Sequence, residues 1–185
     1  MKKLLLSLLL AVMIMPALLG QKIFTREGKI SFYSEAQKEN IQAHNSNATS
    51  IIDLETGKME FAVLIKAFQF EKALMQEHFN ENYMESSKFP KATFKGSIVD
   101  IGTVAFAKDG NYPVEIKGKI TIHGVEKPIQ AKGTIEISGK SITGESSFEV
   151  VVADFDIEIP ALVRENIAKV IRIDVLCNYV PFKKP

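Results

Sequence analysis

Glu115-Ile116-Lys117-Gly118-Lys119-Ile120-Thr121-Ile122 is the stretch on which the fold turns. Ile116, Gly118, Ile120 and Ile122 alternate with Glu115, Lys117, Lys119 and Thr121. A pleated strand sends successive side chains to opposite faces, so the isoleucines share one side and the charged residues the other. A strand with one dry and one wet face belongs to an antiparallel sheet wrapped around a core, not to a parallel sheet covered on both faces. The pattern recurs at Ile129, Ala131, Gly133, Ile135 and Ile137, and again at Ile171, Ile173, Val175, Cys177 and Tyr179.

Turn chemistry joins these runs. Residues 49–54 and 59–68 flank Glu55-Thr56-Gly57-Lys58, where Gly57 can supply the positive φ of a tight turn. Residues 132–137 and 141–152 flank Ser138-Gly139-Lys140 in the same way. Short strands punctuated at even spacing predict an all-β barrel or sandwich with one or two short helices. The first helix is expected over residues 71–83, where Lys72, Ala73, Leu74, Met75, Gln76 and Glu77 are strong helix formers and Phe89-Pro90 forces extended backbone beyond it. A second is expected from Pro160 to residue 168.

The first 20 residues read as a cleaved secretory signal. Lys2 and Lys3 precede an apolar run over 4–19, interrupted by Ser7 and Pro16, and Gly20 offers a small residue for cleavage. That run falls short of the roughly 20 apolar residues that span a bilayer. Residues 21–185 then form one exported domain, 165 residues long, large enough for its own core. The signal removes two of 23 basic residues and none of 22 acidic ones, so the remainder holds one more acid than base and has no charge with which to attract nucleic acid. The single cysteine, Cys177, permits neither an internal disulfide nor a lipid anchor at the mature N-terminus. A soluble product, periplasmic or otherwise exported and without stable membrane insertion, is expected, and a homodimer is compatible with the sequence.

Reactive chemistry is not indicated. His44, His78 and His123 lack ligand spacing, so no metal is expected. Cys177 alternates with apolar neighbours and has no evident base, and no nucleophile elbow, phosphate loop or dinucleotide fingerprint occurs. Asp154, Asp156 and Glu158 read as a solvated rim, and Asn47-Ala48-Thr49 as an incidental glycosylation match.

Three stretches together resemble the YceI-like family of exported bacterial lipid binders. A strand over 61–70 leads into Glu71-Lys72-Ala73-Leu74-Met75-Gln76-Glu77-His78-Phe79. Asn80 and Asn82 follow, and then Phe89-Pro90-Lys91-Ala92-Thr93-Phe94 is similar to the family's aromatic-Pro-x-x-x-Phe signature. Gly118-Lys119-Ile120-Thr121-Ile122-His123-Gly124-Val125 is similar to its glycine, strand, glycine, valine pattern. The resemblance implies a lipocalin-like antiparallel barrel of about eight strands, with an extended apolar tunnel that holds a polyisoprenoid or similar amphiphile and no other cofactor.

The residues are compatible with that tunnel. Met59, Phe61, Val63, Ile65 and Ala67 alternate with Glu60, Ala62, Leu64, Lys66 and Phe68, so both faces carry apolar bulk, and the helix with Leu74, Met75 and Phe79 could cover one of them. Candidate lumen residues are Phe61, Val63, Ile65, Phe68, Leu74, Met75, Phe79, Phe94, Phe106, Ile120, Ile122, Phe148, Ile173 and Val175. Phe89 and Phe155 add aromatic surface, and Gly118, Ala131 and Gly133 would either hold the lumen open or mark barrel bends. Tilted strands of about ten residues give a tunnel about as long as a leaflet is thick. The expected function is non-catalytic binding of a long apolar amphiphile for carriage, storage or buffering. A barrel enzyme acting on a lipid, of isomerase or cyclase type, and an interaction module with a packed interior are the alternatives.

Overall fold

The computed structural model describes residues 22–182. The expected signal lies outside the described residues. Nine strands form one antiparallel sheet: β1 (Lys22–Glu35), β2 (Asn40–Asp53), β3 (Lys58–Leu64), β4 (Gln69–Phe70), β5 (Lys91–Val99), β6 (Gly110–Ile122), β7 (Val125–Ser138), β8 (Ser141–Val151) and β9 (Val170–Pro181). Apart from the two-residue β4, each strand pairs with its neighbours in sequence, and β9 closes on β1. The result is an eight-stranded, closed, up-and-down barrel of lipocalin-like type, with β4 added beside β2 where β3 departs. Closure leaves no long exposed edge. Among the described residues no helix is long and apolar enough to cross a membrane.

Both expected hairpins form. In the β2–β3 turn, Gly57 has φ +70°, and Asp53 Oδ1 accepts hydrogen bonds from the Glu55 and Thr56 amides at 3.1 and 3.0 Å. These bonds, Thr56 first, hold the Asp53 carboxyl below its ordinary value. The β7–β8 turn places Gly139 at φ +59°. His123 and Gly124, both at positive φ, make the two-residue β6–β7 turn.

Three expectations need correction. The strand from Met59 ends at Leu64, because Ile65–Ala67 form a 3-10 turn fixed by the Ile65 amide donating to Pro90 O at 3.0 Å. That turn brings Phe68 to the buried side with Ile65 and leaves Leu64 half-exposed outside. The helix α1 (Ala73–His78), continued by a π turn over Phe79–Tyr83, lies across the end of the barrel instead of covering the outer face of β3. The helix expected from Pro160 reduces to the 3-10 turn Ala161–Val163, since the amide of Ala168 donates to Ser34 Oγ (2.8 Å) and not back along its own segment.

One end of the barrel is packed solid. Ile23, Ile52, Ile98, Ile101, Val104, Val114, Ile135 and Ile137 form this floor with Cys177 and Tyr179. At the other end the side chains part around a cavity.

Candidate functional site: an apolar barrel cavity

The cavity has a volume of about 390 Å³, within the range of small-molecule sites. Its wall comes from the inward positions of the barrel strands, so the alternation that makes the sheet also makes the lining. Phe61 and Val63 of β3, Phe94 of β5, Ile120 and Ile122 of β6, Phe148 of β8, and Ile173 and Val175 of β9 all face it, as does Ile65. Phe68, Met75 and Phe79 face it from the roof. The remaining two candidates stand elsewhere. Leu74 points away from the barrel and is 60% exposed, one position out of phase with Met75. Phe106 packs beneath the floor cluster.

Four rings hold the roof on the barrel. Phe79 lies 5.4 Å from Phe32, 5.8 Å from Phe68 and 5.0 Å from Phe70, centroid to centroid, distances at which aromatic pairs attract beyond their buried area. The Phe70 amide donates to Gln76 Oε1 (3.2 Å), tying β4 to α1. Met84 and Phe155, both buried, complete that side of the roof.

The inward glycines do not leave open space. Gly96 and Gly118 pair across β5 and β6, and a Cβ on either would stand 2.5–2.6 Å from Phe94 Cζ. The Phe94 ring therefore lies over the two glycines and fills what they vacate. A Cβ at Gly133 would meet Glu145 O at 2.6 Å, which marks a close strand approach, while Ala131 does line the cavity.

Polar residues border this largely apolar wall along its strands, at Thr93, Thr134, Glu145 and Ser146, and at both ends. At the mouth stand Ser34, Glu39, His78, Tyr83 and Asn166. At the floor, the Tyr179 hydroxyl shares a 3.0 Å hydrogen bond with Ser50 Oγ. Burial pushes the Tyr179 hydroxyl well above its ordinary value and the neighbouring Cys177 thiol up to about 11. The thiol is thus a neutral, inert wall group at neutral pH.

The histidines are dispersed. His44 shares a 2.8 Å hydrogen bond with Ser31 Oγ. His123 bridges Glu85 Oε2 (2.9 Å) and Phe155 O (3.1 Å).

Sequence reasoning missed the contribution of β1, where Ile30 and Phe32 line the cavity. It also missed Ile157, Ile159, Val163 and Ile167 in the β8–β9 connection. The Ile157-x-Ile159 alternation was the available signal. β1 gives less, because register shifts between Thr25, Gly28 and Ile30 break its period.

The resembling stretches meet in space. The Phe89 ring packs on His123 with centroids 4.5 Å apart, and a Cβ on Gly124 would lie 2.5 Å from it. A family model, the YceI-like domain, matches residues 22–178. The chain belongs to the YceI-like family. No curated protein sequence matches it significantly. Among solved structures, this YceI-like chain is similar to a polyisoprenoid binding domain from Saccharophagus degradans implicated in plant cell wall breakdown, with 13% identity, a TM-score of 0.73 and coverage of 87% of this chain and 98% of that one. It is similar to Burkholderia cenocepacia BcnA at 15% identity and TM-score 0.69, covering 83% and 96% of the two chains. A Campylobacter jejuni YceI protein matches at 16% identity and TM-score 0.57, covering 81% and 90%. At these identities the likeness is one of fold.

Proposed function

We propose that this barrel binds a long apolar amphiphile, of polyisoprenoid or similar lipid type, and carries, stores or buffers it outside the cytoplasm without chemical change. The observation that carries the reading is a cavity of about 390 Å³ with a predominantly apolar wall. An apolar chain gains roughly 0.8 kcal/mol per buried methylene, and a preformed site spares part of the ordering cost. Family membership supports this reading, as does the binding description of the Saccharophagus degradans domain.

In this reading Phe61, Val63, Ile65, Phe68, Met75, Phe79, Phe94, Ile120, Ile122, Phe148, Ile173 and Val175 touch the tail. The mouth groups Ser34, His78 and Tyr83 stay near the head group. Residues 1–20 supply export to the periplasm, where a tail cannot cross water unshielded. The test is organic extraction of the protein purified from its exported fraction, followed by mass spectrometry of the extract. A stoichiometric lipid is expected, and its absence would remove the reading.

A further inference from the structure

Between Phe155 and β9, residues 156–169 cross the open end of the barrel with only the turn Ala161–Val163 as regular structure. Connections of this length without structure of their own are uncommon in compact domains, and many are lids over sites. Ile157, Ile159, Val163 and Ile167 face the cavity, yet no residue of the segment is fully buried.

Its polar fastenings concentrate at one end. The Lys38 amide donates to Glu165 O at 3.1 Å, and the two side chains form an ion pair. Ala168 N–H donates to Ser34 Oγ at 2.8 Å, and Asn166 Nδ2 donates to Glu39 Oε2 at 3.3 Å. Among the described residues, none from 157 to 164 hydrogen-bonds to another element.

Glu39 joins two roof elements. Its second oxygen, Oε1, accepts from Lys72 Nζ at 3.1 Å, immediately before α1. One carboxylate at the β1–β2 turn therefore ties both the helix and the crossing segment, and both Glu39 and Asn166 border the cavity. Those bonds, Lys72 first and then Asn166, hold the carboxyl below its ordinary value. Glu39 and Lys72 lie at the solvent-facing rim, where water and salt weaken the pair. Such a fastening can part by thermal motion, on the timescale of lid movements.

We infer that residues 156–169 are a gate over the cavity mouth and that Glu39 is its clasp, setting how fast an apolar ligand enters and leaves. The inference rests on the binding reading above. A gate slows both directions alike, so releasing it raises the association and dissociation rates together and leaves the affinity unchanged. A residue that merely touches the ligand would alter dissociation alone.

Stopped-flow fluorescence with N-phenyl-1-naphthylamine, which brightens in apolar surroundings, separates these cases for the wild type, Glu39→Ala and Asn166→Ala. In Glu39→Ala both rates are expected to rise about two- to fivefold, the range an exposed ion pair can hold. Added salt should speed the wild type more than Glu39→Ala, in which only the Lys38–Glu165 pair is left to screen. Asn166→Ala should give a smaller rise in both rates. Probe binding with unchanged rates in both variants would overturn the gate and leave the binding reading standing, as would a rise in dissociation alone. A wild type that takes up no probe would overturn the binding reading and the gate with it.

Discussion

Midway along the barrel, Gly96 and Gly118 give up their side chains to a single ring. A Cβ at Gly118 would meet Lys95 O at 2.4 Å and Phe94 Cζ at 2.6 Å, so neither backbone nor ring has room. Gly118→Val is expected to cost about 1–3 kcal/mol by overpacking, read as a lower urea midpoint. Gly102→Ala is the control, since nothing lies within 4 Å of its added Cβ, and its midpoint should hold or rise slightly.

Cys177 carries a pH dependence of definite sign. Its thiol is raised to about 11 from an ordinary 9.0, so between those values the folded chain retains a proton that the unfolded chain has lost. Stability is then complete below about pH 9 and falls as pH rises towards 11, by on the order of 3 kcal/mol for a shift of this size. Cys177→Ala should show a shallower alkaline decline in denaturation midpoints between pH 8 and 11. Tyr179 titrates upward as well and will leave part of the slope. An unchanged slope in the variant would refute the assignment. At this scale the sequence placed Cys177 correctly on the inner face through its alternation with Val175 and Tyr179. It could not tell that Gly118 makes room for a ring from across the sheet, because that neighbour is set by register.

Helix α1 and the π turn after it were legible as a helical stretch from propensity and from Pro90. Their position was not. A short helix with apolar residues on adjacent positions can cover a sheet face or an open end, and the aromatic contacts among Phe32, Phe68, Phe70 and Phe79 select the end. The orientation separates two neighbouring residues cleanly. Met75 faces the cavity while Leu74 is 60% exposed. Met75→Glu should weaken naphthylamine binding about tenfold or more, because a charge brought into an apolar site must be desolvated. Leu74→Glu should bind as the wild type does, with stability within about 0.5 kcal/mol of it. Equal weakening by both variants, measured by equilibrium fluorescence titration, would contradict the orientation. The β8–β9 connection was read as a helix for want of a signal that its amide and carbonyl partners lie on β1 and the β1–β2 turn, far away in sequence.

For the whole molecule, the wet and dry faces of β6, β7 and β9 and the glycine turns were enough to indicate an antiparallel barrel. Closure was harder to read, since it depends on β1 and on its pairing with β9 and β2. There the inward positions carry Thr25, Ser34, Asn45 and Ser50, all buried and polar, in place of an apolar alternation. Asn45 earns its burial by accepting from the Asn47 amide at 2.8 Å and by donating to Leu64 O at 3.1 Å, a bond invisible until the chain brings Leu64 beside it. The lining residues of the later strands and the roof residues Phe68, Met75 and Phe79 were therefore legible, and those of β1 and the β8–β9 connection were not. A barrel closed around side chains alone would have filled its interior. This one packs its floor and leaves about 390 Å³ of apolar space beneath an aromatic roof. The most direct measurement is the mass spectrum of an organic extract from the protein purified without detergent. A single class of long-chain lipid at about one molecule per chain is the predicted result; an extract with no lipid, from protein that also takes up no apolar probe, would contradict the account.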